Sequence, residues 1–335
     1  MRSVAALALV VPFVVGFAAA PSTATAQGDV EFTFADPEIV ESSGLAVVDG
    51  LVITVNDSGD TGRVFAVDPE TGQTVGVTTW SPEPRDVEAL APAGRGQVWV
   101  ADIGDNLEVR ETVEVLRVPV GPGEHVVEPE RFELAYPDGP HDAETLIAAP
   151  DGRLLVVTKG IFGGSVYRSP RRLTDGVNRL TRLDTDGAVL PIATDGALLP
   201  DRRHVVVRNY GSAAFYTYPD FREVGSFALP AQPQGEGIAV DPRGRMLVST
   251  EGKYTAVLRV RVPEDLMAAL APTPSETPSG SPGLAGPGNA GSGDASDDPG
   301  ASDSASWTWF AGGAALALVL AGVGARLAGR WPGRR

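Results

Sequence analysis

One phrase written five times in succession constrains this chain more than any other feature of its sequence. Each copy has a polar or acidic lead-in, a short apolar run, a turn built from Pro, Asp or Gly, a second apolar run, and a polar exit with Gly. The copies are ESSGLAVVDGLVITVNDSGD from Glu41, DVEALAPAGRGQVWVADIGDN from Asp86, DAETLIAAPDGRLLVVTKG from Asp142, TDGALLPDRRHVVVRNYG from Thr194 and QGEGIAVDPRGRMLVSTEGK from Gln234. A unit that cannot bury its own apolar faces must stack on its neighbours, and a period of about 40 to 56 residues is that of propeller blades.

Further strand-like runs follow each copy: Arg63 to Asp68, Val113 to Val120, Ser165 to Arg168, Ala213 to Tyr218 and Ala256 to Val262. Short apolar runs separated by Asp-Gly, Pro-Asp and Gly turns read as strands, and no long 3.6-residue apolar period argues for helices. The predicted fold is therefore all-β, a propeller of five four-stranded blades. Six blades is the alternative if Leu180 to Ile192 hides a degenerate one, and an open β-solenoid is the runner-up. The last blade lacks an outer strand after Val262, and Val30 to Phe34 stands before the first blade. That N-terminal strand is expected to complete the last blade and close the ring, which removes exposed sheet edges.

The segments flanking this body carry address signals. Residues 1–26 read as a signal peptide, with Arg2, the apolar run Val4 to Ala20, and the small-x-small site Ala24-Thr25-Ala26 before Gln27. The propeller body is assigned to residues 28–265. Residues 272–306 are rich in Pro, Gly, Ser and Asp and are expected to form a disordered stalk. Residues 307–325, Trp307 to Ala325, carry no charge and are long enough to cross a hydrocarbon core of about 30 Å as a helix. Arg326, Arg330, Arg334 and Arg335 then mark residues 326–335 as a basic cytoplasmic tail. The expectation is a single-pass cell-membrane protein with its body outside the cell.

The formal net charge of −16 argues against nucleic acid as a partner, since phosphate binding needs clustered Lys and Arg. The chain has no cysteine, which removes disulfides, thiol nucleophiles and Cys-ligated zinc together. There is no G-x-S-x-G elbow, H-E-x-x-H zinc helix, Walker A loop or dinucleotide fingerprint.

In a propeller, the lead-in to strand one and the exit from strand two open on the same face. The acids of the repeat sit at those two places, so one mouth of the channel should be ringed by carboxylates. The metal candidates are Glu88, Glu144, Glu236, Asp57, Asp86, Asp102, Asp105 and Asp142, because a hard cation such as calcium takes several oxygen ligands. The ligand-binding candidates are Lys159, Arg208, Lys253, His141 and Glu251, of which the cations would suit a phosphate or carboxylate. Against this stands a structural role: turn acids and inner-ring acids also bond backbone amides across blades.

The phrases E-x-x-G-L-A…N-D-S-G-D, A-D-I-G-D-N, D-A-E-T-L…V-T-K-G and Q-G-E-G-I-A…S-T-E-G resemble secreted bacterial β-propeller proteins of the NHL-like, SMP-30-like or phytase-like kind, over Glu41 to Lys253. Such blades host lactonases, phosphatases and binding modules alike. The phytase-like resemblance implies calcium held by acids, with Lys and Arg gripping phosphate. Two functions are therefore carried forward: a cell-surface module that binds or senses a small anionic ligand or a protein partner, and a calcium-dependent hydrolase of a phosphorylated or other anionic substrate.

Overall fold

The computed structural model describes residues 28–57, 59–185 and 187–271. The signal peptide, stalk, membrane helix and cytoplasmic tail expected from the sequence lie outside the described residues. Among the described residues no helix is long and apolar enough to cross a membrane.

The described strands form five sheets of a propeller, each antiparallel through four strands. Blade one runs outward through Ser42–Val48, Leu51–Asn56, Arg63–Val67 and Thr74–Trp80. Blade two uses Val87–Pro92, Gln97–Asp102, Val113–Pro119 and Glu130–Ala135, and blade three Ala143–Ala148, Leu154–Thr158, Val166–Arg168 and Thr181–Arg182. Blade four is Asp195–Leu198, His204–Arg208, Ser212–Thr217 and Glu223–Ala228. Blade five is Gly235–Val240, Met246–Thr250 and Ala256–Val260, completed by the N-terminal strand Gly28–Thr33. That last pairing runs from Gly28↔Val260 to Thr33↔Ala256, so the chain start closes the ring, as the sequence predicts. The segment Leu180 to Ile192 supplies the outer strand of blade three rather than a sixth blade.

The strands show apolar runs rather than clean alternation because each blade is covered on both faces. Leu154–Thr158 is buried at every position. Five apolar clusters fill the five interfaces between blades. Phe34, Val52, Phe65 and Val257, for example, seal blade five against blade one. Burial of this kind, at about 25 cal/mol per Å² of apolar surface, is the main term holding a disulfide-free body together.

Two further strands depart from the four-strand pattern of the repeat. Gly123–Val127, from a loop of blade two, adds a parallel fifth strand to blade one, and Asn178–Arg179, from blade three, does the same for blade two. Each clasps the preceding blade and covers its outer edge. The short helix Glu264–Leu270 follows the last strand and buries Leu270 in the cluster between blades four and five.

Candidate functional site

The lead-in and exit of each copy do meet on one face. A backbone amide of the exit donates to a carbonyl of the lead-in in four blades: Asp57 to Glu41 at 3.1 Å, Gly104 to Asp86 at 3.2 Å, Lys159 to Asp142 at 2.9 Å and Glu251 to Gln234 at 3.0 Å. Within the same four blades the inner strand carries a bulge where its register slips, and the bulged residues include Ser43, Glu88, Glu144 and Glu236. A bulge leaves its residue unpaired and re-aims its side chain. The three glutamates at one repeat position are thus products of one backbone device. Blade four has no slip: Asp195 pairs in register with Arg208.

That difference sends Asp195 into a structural role. Its carboxylate accepts the amides of Gly196 at 2.8 Å, Ile238 at 2.8 Å and Leu45 at 3.3 Å, tying blades four, five and one together across the channel. Burial raises its pKa, and the three amides and Arg208 pull against that rise. Arg208 is itself fully buried. It donates to the carbonyls of Asn209 at 3.0 Å, Gly237 at 3.1 Å and Ser249 at 3.3 Å, and to Gln232 Oε1 at 3.2 Å. Burial lowers Arg208 to about 10, so it stays charged at neutral pH.

The remaining candidates separate by their partners. Asp102 pairs with buried Arg110 at 2.8 Å and also accepts the amides of Arg85 and Asp86. Asp105 accepts the amide of Arg110, and Asp142 accepts that of Asp105. These three acids organise the loops of blades two and three. His141 contacts Tyr136 and Tyr167 and pairs with Asp138 at 3.0 Å. Lys253 is exposed beside a shallow cleft shared with Glu41 and Asp60.

Lys159, by contrast, is in the mouth, bound to Glu144 and stacked 5.7 Å over the Tyr210 ring. Burial works to lower its pKa, and the Glu144 carboxylate overrides that and holds the ammonium above its ordinary range. Glu236 and Glu251 share Gln234 as a donor. Burial and then Glu251 push Glu236 up to about 9.

Three acids converge as a cation site would require. Asp57, from the exit of blade one, meets Asp86 and Glu88 of blade two, with one carboxylate oxygen of each within 4.8 Å of the others. Oxygens sharing one calcium ion at 2.3–2.6 Å are at most about 5 Å apart, so this donor set could hold a hard divalent metal. Burial and then Asp57 push Asp86 up to about 6, and burial and then Glu144 raise Glu88 strongly. A bound cation would relieve that repulsion.

Gly104 closes the back of the cluster. A Cβ there would lie 2.5 Å from Asp86 Cγ and 2.7 Å from Glu88 Oε1. Gly104→Ala should therefore weaken metal binding by about tenfold or more, the usual scale for disturbing the shell around metal ligands, while every ligand remains. Calcium titration of the variant checks this.

The opposite end of the channel is different in kind. A cavity of about 700 Å³ there is walled by Leu45, Leu90, Leu146, Ile147 and Ala239, and it contains none of the clustered acids.

No known family profile matches the sequence. No curated protein matches it. Among solved structures, the chain is similar to the glutaminyl cyclase of Myxococcus xanthus, with 13% identity, 71% of this chain and 99% of that one covered, and a TM-score of 0.46. It is similar to a gluconolactonase of Xanthomonas campestris at 11% identity, 70% and 90% coverage and a TM-score of 0.42. A streptogramin B lyase gives 12% identity, 72% and 100% coverage and a TM-score of 0.38. At these values the likenesses transfer no chemistry, and the propeller assignment rests on this chain's own strand order.

Proposed function

We propose that this chain is a cell-surface binding module whose propeller mouth takes a divalent cation, calcium, on Asp57, Asp86 and Glu88. The observation that carries this reading is the convergence of three carboxylates from two blades within 4.8 Å, in a place where burial makes unrelieved negative charge costly. Calcium, held by oxygen ligands, would relieve the repulsion among the three carboxylates and fix the loops of blades one and two around it. Lys159 stands across the mouth, paired with Glu144. Surface display is supported by the leader-like and membrane-span-like segments of the sequence.

A second reading, a calcium-dependent hydrolase, is favoured by one feature. Glu236, pushed up to about 9 beside Glu251, retains a proton at neutral pH, and a protonated carboxyl can act as general acid toward a leaving group.

The test is calorimetric titration of the chelator-stripped full chain with calcium, then the same titration for Glu88→Gln and Asp86→Asn. Saturable binding that each substitution weakens by about tenfold or more is the expected result. Heat changes indistinguishable from buffer dilution would remove the cation and the reading with it. Turnover of generic phosphate esters by the calcium-loaded chain, lost in Glu236→Gln, would move the assignment to the hydrolase.

A further inference from the structure

Among the described residues, six of the ten large apolar side chains that are exposed lie on the exit loops of four blades, while Val30, Val126, Val177 and Met267 lie on or beside outer strands and on the C-terminal helix. Leu107 and Val109 belong to the exit loop of blade two, Ile161 and Phe162 to that of blade three, Tyr210 to blade four and Tyr254 to blade five. These four loops open on the face that holds the acidic mouth. Phe162 is 98% exposed and Leu107 81%. Single exposed apolar residues need no explanation, but a ring of them around one opening marks an interaction surface.

The tips are braced. The Phe162 loop is a tight turn in which Gly163 N donates to Gly160 O, while Ile192 N donates to Gly160 O and Gly164 N to Val189 O. The Leu107 loop is stapled from beneath, since Asp105 Oδ2 accepts Arg110 N at 2.7 Å and Arg110 pairs with Asp102. Asn209 Oδ1 accepts the amides of Gly211 and Ser212 beside Tyr210, and Gly252 N donates to Val40 O beside Tyr254. Apolar groups held in place before contact spare an incoming partner much of the ordering cost of binding.

Inside this rim the charge is strongly negative. Glu41, Asp142 and Glu251 stand around the Asp57, Asp86 and Glu88 cluster, Lys159 is already committed to Glu144, and exposed Lys253 lies outward beside Glu41 and Asp60. A single divalent cation would leave the well acidic. The rim is also incomplete: residues 59–62 of the blade-one exit are Gly-Asp-Thr-Gly and add no apolar tip on the side nearest Asp57. An occupant that touches tips on four blades must span most of the mouth, so it is larger than a metabolite. Complementarity asks that occupant for apolar groups around a positive one.

We infer that the acidic mouth and its braced apolar rim form a docking face for a polypeptide segment that carries an arginine or lysine between large apolar side chains. The basic head enters the well from the open blade-one side, and the flanking side chains cover Phe162, Leu107 and Tyr254. Anionic membrane lipid is the wrong partner for such a face, because the well repels its headgroups. This inference rests on the rim and the excess charge, and it stands whether or not calcium binds.

The test uses the full chain and short fluorescent peptides with a central arginine flanked by leucine and phenylalanine, read by anisotropy. Binding is expected for this peptide and not for its counterpart with a central glutamate. The pair Leu107→Ser and Phe162→Ser should weaken it about tenfold or more, the effect of losing large apolar side chains from an interface. Both positions are exposed, so the thermal midpoint and the calcium titration should not change, which separates failure here from failure of the cation site. Because the chain has no cysteine, Tyr254→Cys can carry an environment-sensitive dye at a single place. A blue shift with the arginine peptide is expected. No binding of that peptide, equal binding of the glutamate peptide, indifference to the rim substitutions, or a dye shift with phosphatidylcholine vesicles but none with peptide would each overturn the inference.

Discussion

Replacing Arg208 by methionine is expected to destabilise the body by about 3–5 kcal/mol, the scale for removing one member of a buried charged network. For a domain of this size that is a fall in thermal midpoint on the order of 10 °C. Methionine preserves most of the volume, so the loss comes from polar groups left behind. The buried carbonyls of Gly237 and Ser249 and the half-buried amide oxygen of Gln232 lose this donor. Each such orphaned group costs about 1–3 kcal/mol. Asp195 also loses the positive charge that offsets its burial. Asp195→Asn should cost less, because the amide oxygen can still accept from Ile238 or Gly196. The double variant should fall short of the sum of the two, since both substitutions dismantle one network. Chemical denaturation of the four proteins measures this cycle. Additive losses would show that the buried arginine and aspartate act independently. Because blade four has no bulge, the pair stands where blades two, three and five carry a glutamate, and Asp195 links blades four, five and one.

The second large effect is a dependence of stability on pH that calcium should partly offset. In the chelated protein, burial and neighbouring carboxylates hold Asp86 at about 6 and Glu236 at about 9, and raise Glu88 and Glu251. All four lie above the values of an unfolded chain. Folding therefore retains protons that unfolding would release, and this contribution is fully present below about pH 4 and lost as pH rises through the folded values. The native state should be more stable near pH 5.5 than near pH 8, with each group contributing a slope of up to about 1.4 kcal/mol per pH unit while it titrates. Calcium requires the ionised forms of Asp86 and Glu88, so it binds better at the higher pH and expels protons as it does so. At a hundred times its dissociation constant it adds about 2.7 kcal/mol, several degrees in midpoint. Melting curves at the two pH values, with chelator and with calcium, should show a large rise near pH 8 and a small one near pH 5.5. Equal rises would mean that the cation does not compete with protons at these carboxylates.

Much of the architecture was legible in the sequence because it is written locally. A propeller blade is a run of adjacent hairpins, and hairpins announce themselves through short apolar runs and turn residues such as Asp49-Gly50 and Asp151-Gly152. The spare strand at Val30 to Phe34 was interpretable for the same reason, since an unpaired strand before the first repeat has one natural partner, the incomplete last repeat. The clasping strands Gly123–Val127 and Asn178–Arg179 carry no such mark, because they are short and partly polar and their pairing is parallel and to a different blade.

The candidate site was legible only in outline. The recurrence of Glu88, Glu144 and Glu236 at one repeat position marked a shared environment, and the alternation of turn and strand placed it at one mouth. The sequence by itself thus determined the repeat, its strand order and the acidic character of that face, because these follow from residues near one another in the chain. Tertiary structure decided the rest. Packing of one blade on the next sets Asp57 against Asp86 and Glu88, and four inner strands slip register while the fifth does not. Which acid joins the three-carboxylate cluster, which clips three backbones and which holds an ammonium then depends on the neighbour that each blade is packed against, and chain order does not encode that distance.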